Sequence, residues 1–201
     1  MKSIYDFIVK PAGERYSNKI KINDKELILN TNIENWKAVN RIAIVVETPL
    51  AFSTKIKKDD LVVVHQNVFR RFYDIKGKQK DSRSWFKEDL YFCNISQLYL
   101  YKQKNKWQTI LERCFVKPIV DTNDFTLDKE KKLVGILKYG NSSLEASGIN
   151  PGDLIGFTPN SEWDFIIDNE RLFCMQSNDI VIKYEFQGNE VEYNPSWAKS
   201  G

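Results

Sequence analysis

The feature that most constrains the fold of this chain is an internal repeat of four short blocks that occur twice in the same order. Residues 7–11 (FIVKP) recur as residues 114–118 (CFVKP). Self-similarity of this kind indicates a structural unit that is present twice, and 201 residues accommodate two units of about 100 residues each. The other matched segments are 41–46 with 132–137, 56–63 with 149–156, and 90–102 with 171–184.

Both copies have the pattern of short β-strands. Residues 42–46 and 61–64 are runs of mostly β-branched residues, and turn residues such as glycine, asparagine and proline separate runs of this kind. Apolar residues at helical spacing extend over no more than a turn or two. The sequence therefore predicts an all-β fold in which each copy closes into a small barrel.

The two copies differ in the lengths of their connections. The first copy is longer by about sixteen residues between its first two blocks and by about twelve between its last two, and such insertions fall in surface loops. The junction at residues 103–106 is typical of a tight hairpin connection. The predicted domains are therefore residues 1–104 and residues 105–201. The first copy also has Asp59 where the second has Gly152, which predicts a different turn because aspartate tolerates a left-handed backbone less well.

Charge and apolar patterning exclude several classes of protein. Thirty basic and 27 acidic residues give a net charge of +3, which is too balanced to indicate nucleic-acid binding. The apolar runs are of strand length and fall short of the roughly 18 residues that span a bilayer, so no membrane partner is expected and the predicted location is the cytoplasm. The three cysteines, Cys93, Cys114 and Cys174, are expected to be buried, reduced thiols.

The sequence contains no recognisable catalytic constellation. The only histidine is His65, beside Gln66 and Asn67 at the end of a predicted strand, and a histidine in such a setting is usually structural or faces solvent. Neither a nucleophile-elbow motif, nor a phosphate-binding glycine loop, nor a cluster with metal-ligand spacing is present. We therefore predict that the chain is not an enzyme and that it uses no cofactor and no metal.

The second copy resembles a known family. Residues 151–157 (PGDLIGF) are similar to the Gly-Asp-hydrophobic-x-Phe strand of the GroES co-chaperonins, and residues 165–173 and 177–181 resemble that family's closing strands. Residues 5–11 (YDFIVKP) are similar to its N-terminal strand. The chain thus resembles a divergent member of this family with two GroES-like barrels in tandem. Tandem members of two fused units exist, and bacteriophages encode divergent members. The resemblance extends over residues 4–102 and 112–185.

The resemblance implies a function as a co-chaperonin. Members of the family form rings that cap an ATP-bound GroEL-type chaperonin, and each subunit docks through a mobile loop that ends in an apolar tripeptide. The corresponding segment of the first copy is residues 13–40, in which Leu27, Ile28 and Leu29 match the tripeptide. These three residues are the predicted chaperonin-binding site, and a homo-oligomeric ring is the predicted assembly.

Two interpretations of this segment remain open at the sequence level. Residues 20–29 also have the pattern of an ordinary β-hairpin that turns at Asn23-Asp24, and the tip of such a hairpin could still dock. The second copy is much shorter here, with only Phe125 and Leu127 as large apolar residues between positions 120 and 131. We expect that it has lost the docking element.

Two further segments carry alternatives. Residues 70–88 are basic and contain interleaved aromatic residues, which fits either a nucleic-acid or partner surface or a solvated hairpin whose aromatic side chains pack on the barrel. The acidic residues Asp74, Asp81, Glu88 and Asp89 weaken the nucleic-acid interpretation. In the C-terminal tail, Tyr193 and Trp197 would anchor either on a neighbouring subunit or on their own barrel. The alternative function is a bacteriophage structural or assembly protein that uses the duplicated barrel without binding a chaperonin.

Overall fold

The fold is predominantly β, as the sequence predicts. The computed structural model describes residues 2–16, 19–22, 25–28, 39–121, 129–185 and 190–200. Strands make up 49% of the structure and helices 10%. The strands form antiparallel sheets, and no closed barrel is detected among the described residues. The α-helix of the described part, α1 (Ser142–Ala146), begins after Asn141, whose side-chain oxygen accepts a hydrogen bond from the Leu144 amide.

The chain divides into two compact units, Met1–Lys106 and Trp107–Gly201. In the first unit, six strands form one sheet in the order β10-β5-β4-β1-β9-β8, and two strand pairs, β2 with β3 and β6 with β7, form separate two-stranded sheets. The strands of this unit are β1 (Phe7–Pro11), β2 (Lys19–Ile22), β3 (Lys25–Ile28), β4 (Ile42–Glu47), β5 (Leu61–Val64), β6 (Phe72–Tyr73), β7 (Gln79–Lys80), β8 (Trp85–Lys87), β9 (Leu90–Cys93) and β10 (Leu98–Gln103).

The second unit repeats the six-stranded sheet. Its order is β17-β14-β13-β12-β16-β15, which matches that of the first unit strand by strand. One further strand, β11 (Lys106–Thr109), spans the division between the units. The strands of the repeated sheet are β12 (Arg113–Val120), β13 (Glu130–Tyr139), β14 (Leu154–Phe157), β15 (Trp163–Ile167), β16 (Glu170–Gln176) and β17 (Ile180–Tyr184).

The two sheets also share two of their irregularities. In the first, the β1–β4 register shifts between Ile8 and Val9, and in the second the β12–β13 register shifts between Phe115 and Val116. A second shift occurs where the last strand of each sheet pairs with its neighbour, β10 with β5 and β17 with β14. Because β-bulges are positional features of a fold, their recurrence in both units supports a common origin for the two copies.

The register corrects the alignment of two repeat blocks by one residue. Val9 pairs with Val45 and its counterpart Val116 pairs with Leu137, so that Leu137 corresponds to Val45, whereas the sequence blocks align it with Val46. Likewise Cys93, which pairs with Phe7, corresponds to Met175. A one-residue slip exchanges the two faces of a strand, and apolar residues at consecutive positions conceal such a slip in the sequence.

The expected difference between the two turns is wrong. Asp59 adopts a left-handed conformation with φ of 67°, and Gly152 does so with φ of 98°. The following aspartates act alike, since Asp60 Oδ2 accepts a hydrogen bond from the Lys57 amide and Asp153 Oδ2 accepts one from the Asn150 amide, both at 2.7 Å. This side-chain cap stabilises the same turn with or without glycine.

Each unit has its own buried apolar residues, and the cysteines lie among them. All three cysteines are buried and none of them forms a disulfide, as predicted, and burial raises the pKa of Cys93 and of Cys114 well above the ordinary thiol value. Fully buried residues of the first unit include Phe7, Val9, Val45, Val62 and Leu100. The core cluster of the second unit consists of Cys114, Val116, Leu137, Leu144, Ile155, Phe157, Phe173 and Met175.

Candidate functional site

The segment that contains the predicted docking residues leaves the first sheet through a closed neck, formed by Arg15, Tyr16, Val39 and Asn40. The Asn40 amide donates to the Arg15 carbonyl at 2.9 Å, and Tyr16 forms an antiparallel bridge with Val39. Tyr16 and Val39 are both buried. The two ends of the 13–40 segment are therefore held together at its base.

Side-chain contacts fasten this neck to the rest of the first unit. The Arg15 guanidinium donates from Nε and Nη2 to the Phe69 carbonyl at 3.1 and 2.8 Å, and Nη1 pairs with Asp81 at 3.1 Å. The same group lies over the ring of Tyr91, 5.1 Å from its centroid. Burial raises the pKa of Tyr91, while the charge of Arg15 opposes that shift. The Tyr16 hydroxyl accepts from the Arg71 amide at 2.6 Å.

Beyond the neck the backbone forms a hairpin, β2–β3. Lys19 pairs with Ile28 and Ile20 with Leu27. Of the predicted docking residues, Leu27 and Ile28 therefore lie in a paired strand, while Leu29 lies outside the described residues. The backbone pairing thus favours a hairpin over a mobile loop for the described part of residues 20–29.

The second unit has no counterpart of this hairpin among its described residues. Strands β12 and β13 stay paired as far as Val120 with Glu130, and the Asp121 amide donates to the Lys129 carbonyl at 3.1 Å. Phe125 and Leu127 lie outside the described residues. Each copy therefore has a sheet of the same strand order, and the copies differ here in the length of the connection.

The last strand of the second sheet carries exposed apolar side chains. In β17, Val181, Ile182 and Tyr184 expose 58%, 47% and 40% of their surface. The corresponding strand of the first unit, β10, is different, because residues 98–101 are all buried. Sequence reasoning missed this contrast, since both strands are equally apolar.

The C-terminal arm, residues 190–200, packs on its own unit. Glu192 bridges to Ile119, and the Tyr193 amide donates to the Pro118 carbonyl at 2.8 Å. Lys117 pairs with Glu192 at 2.6 Å, and the ring of Trp197 stacks against a guanidinium of the same unit. Of the two predicted alternatives for the arm, the structure therefore shows packing on the sheet of its own unit.

The insertion at residues 70–88 combines exposed and packed parts. Residues 75–81 are exposed, and Phe72 and Trp85 are partly so. Phe86 instead packs on Phe92, with ring centroids 4.8 Å apart. His65 has a structural role, because its Nδ1 accepts a hydrogen bond from the Asn67 amide at 3.1 Å and caps a short turn.

Comparisons with known proteins add no assignment. No protein-family model matches the chain, and no curated protein is significantly similar to it in sequence. In the described part of the chain, every helix is too short or too polar to cross a bilayer.

Proposed function

We propose that this chain is a co-chaperonin built from two GroES-type units, which binds the apical face of a GroEL-type chaperonin through Leu27, Ile28 and Leu29 and caps its chamber. The observation that carries the proposal is a likeness between the two units combined with one difference. The units have the same sheet order and share a register shift between their first two repeated strands, but only the first unit has a long segment between those two strands. The resemblance of these strands to the GroES family supplies the identity of the partner.

The geometry of the neck supports docking by this segment. A strand with a free edge binds an extended groove by adding to it, with main-chain hydrogen bonds for affinity and side-chain pockets for specificity. Burial of one aliphatic side chain stabilises a complex by roughly 1.5–3 kcal/mol. Ordering a free loop costs about 1–2 kcal/mol per residue, and a hairpin on a closed neck avoids part of that cost. Each docked segment should therefore bind weakly but measurably, and several segments in one ring would add avidity.

The exposed strand β17 supports a homo-oligomer. An exposed apolar edge strand is prone to pair with another chain, and Tyr99 and Leu100 of β10, which correspond to the exposed Val181 and Ile182 of β17, are buried. We propose that a second copy of the chain covers β17 in the assembled ring. The number of copies is an outcome that native mass spectrometry would measure directly.

The test is capture of the chain by a chaperonin in the presence of ATP. We expect capture of the wild-type chain and its loss in the L27S/I28S/L29S variant, because the docking side chains become polar. The matched control is I4S/L50S, which removes exposed apolar side chains from another surface of the same unit and should be captured normally. Capture of the triple variant at the wild-type level would refute the assignment of these residues.

One observation favours the second candidate, a bacteriophage assembly protein that does not bind a chaperonin. Leu27 and Ile28 are paired in β3, which leaves the segment less freedom than the loop of the family has. An oligomer in native mass spectrometry, combined with no effect on the ATPase rate of any chaperonin tested, would favour this alternative. A slowed ATPase would favour the co-chaperonin.

A further inference from the structure

The positive charge of this chain is concentrated in one insertion. Residues 70–88 contain seven lysines and arginines and three acidic residues, a local net charge of +4. The whole chain has a net charge of +3, so the remaining residues are close to neutral. The whole-chain balance, which argues against a nucleic-acid partner, conceals this local excess.

The strand pairing brings cations and an aromatic ring to one face of the β6–β7 ribbon. Phe72 pairs directly with Lys80. The Asp74 amide donates to the Lys78 carbonyl at 3.0 Å, which continues the pairing by one step. Because alternate residues of a strand share a face, Phe72, Lys78 and Lys80 lie together. The Arg70 guanidinium joins them, since it lies 5.1 Å from the centre of the Phe72 ring. These four residues are the ribbon face.

Phe72, Lys78 and Lys80 of the ribbon face are exposed and accessible to a ligand. Phe72 exposes 39% of its surface, and the side chain of Lys80 exposes 64%. The Arg70 side chain is partly buried, and its Nε atom is buried without a hydrogen-bond partner within the described structure. The one acid on this face, Asp74, accepts hydrogen bonds from the amides of the turn, and its second oxygen is 3.8 Å from Lys80. Most of the positive charge is therefore available.

The ribbon stands on a fixed base. Ser82 is buried, and its hydroxyl donates to the Val68 carbonyl at 2.7 Å. Asp81 pairs with Arg15 of the neck. The second unit is shorter at this point by about twelve residues and still forms the same six-stranded sheet. The core fold thus does not require the ribbon, which is fixed to the first unit at its base.

We propose that the ribbon face binds single-stranded nucleic acid. Proteins that bind single strands combine cations that follow the phosphates with aromatic side chains on which bases stack. Arg70, Lys78 and Lys80 supply the first element and Phe72 supplies the second. An acidic polypeptide would use the same cations, but it has no bases to stack on Phe72. The observed interleaving therefore favours a nucleic acid over an acidic protein.

The experiment is fluorescence anisotropy with a labelled oligothymidylate of about 16 nucleotides and the full chain. Three phosphate contacts predict that affinity falls by about 20-fold between 50 and 200 mM salt, because log K changes by about −0.7 per contact and per unit of log salt for single strands. The K78Q/K80Q variant should lose affinity and show only about a threefold salt effect. The F72A variant should bind about 5- to 150-fold more weakly with an unchanged salt slope.

The matched control is K57Q/K58Q, which removes two exposed lysines from another part of the same unit and should bind as the wild type does. Circular dichroism melts of all variants establish that they fold. Failure to bind at 50 mM salt would overturn the proposal. Equal binding of F72A, or complete competition by polyglutamate or by anionic vesicles at matched charge, would also overturn it. Chaperonin capture by the ribbon variants should remain normal, which separates this proposal from the proposed function.

Discussion

Replacement of Arg15 by methionine should loosen the neck and leave the sheets intact. Methionine keeps the apolar stem that lies beside Tyr91 but removes the two hydrogen bonds to the Phe69 carbonyl and the ion pair with Asp81. Hydrogen bonds from a charged donor stabilise by about 1.5–3 kcal/mol. The Asp81 carboxylate is about one-third exposed, so that its ion pair adds about 1 kcal/mol or less. The expected local cost is about 2–3 kcal/mol.

Hydrogen exchange measures this cost at the neck itself. The Asn40 amide, which donates to the Arg15 carbonyl, should exchange about 30- to 150-fold faster in Arg15→Met, because each 1.36 kcal/mol of opening free energy is tenfold in rate. The Asp81→Asn variant keeps both bonds to Phe69 and should accelerate the same amide by about fivefold or less. Equal acceleration in the two variants, or none in Arg15→Met, would refute the role assigned to the Phe69 bonds.

Three further predictions concern the second unit and the thiols. Gly135→Ala should destabilise the second unit by about 1–3 kcal/mol, because a Cβ there would lie 2.5 Å from the backbone carbonyl oxygen of Lys117 in β12. The control is Gly140→Ala, whose Cβ would lie 3.3 Å from the Leu137 side chain and which should melt near the wild-type temperature. A backbone hydrogen bond lowers the pKa of Asp153, so its contribution to stability is present above the unfolded value of about 4 and is lost as pH falls below it; Asp153→Asn should flatten the acid side of the stability profile. Burial and a raised pKa should keep Cys93 and Cys114 unreactive towards a disulfide reagent at pH of about 8 until the chain is unfolded.

The strands and the duplication could be predicted from the sequence because both leave local signals. Apolar runs bounded by turn residues predict the repeated strands, and the common order of these runs predicts that the unit is present twice. The one-residue error at Leu137 arose because bulges change the register without changing the apolar pattern. The turn at Asp59 was misjudged because the cap that stabilises it comes from the next aspartate.

The neck could not be predicted, because its contacts join distant parts of the chain. Arg15 is separated from Phe69 by 54 residues and from Asp81 by 66. No spacing rule links a loop-base arginine to a carbonyl so far along the chain. The contrast between β10 and β17 was missed for a similar reason, since exposure depends on what covers a strand and the residues of the two strands are alike.

The two insertions of the first copy contact each other at their bases. Arg15 at the neck of the hairpin pairs with Asp81 at the base of the ribbon, and Tyr16 accepts from the Arg71 amide. A single contact region therefore holds both segments that the second copy lacks. If chaperonin binding depends on this contact region, a second unit that carries residues 13–40 alone should bind the chaperonin weakly, because the contacts of Arg15 and Tyr16 with residues 66–89 are missing. Transfer of residues 13–40 together with residues 66–89 should restore chaperonin binding. Equal binding by the two chimeras would show that the hairpin acts without the ribbon base.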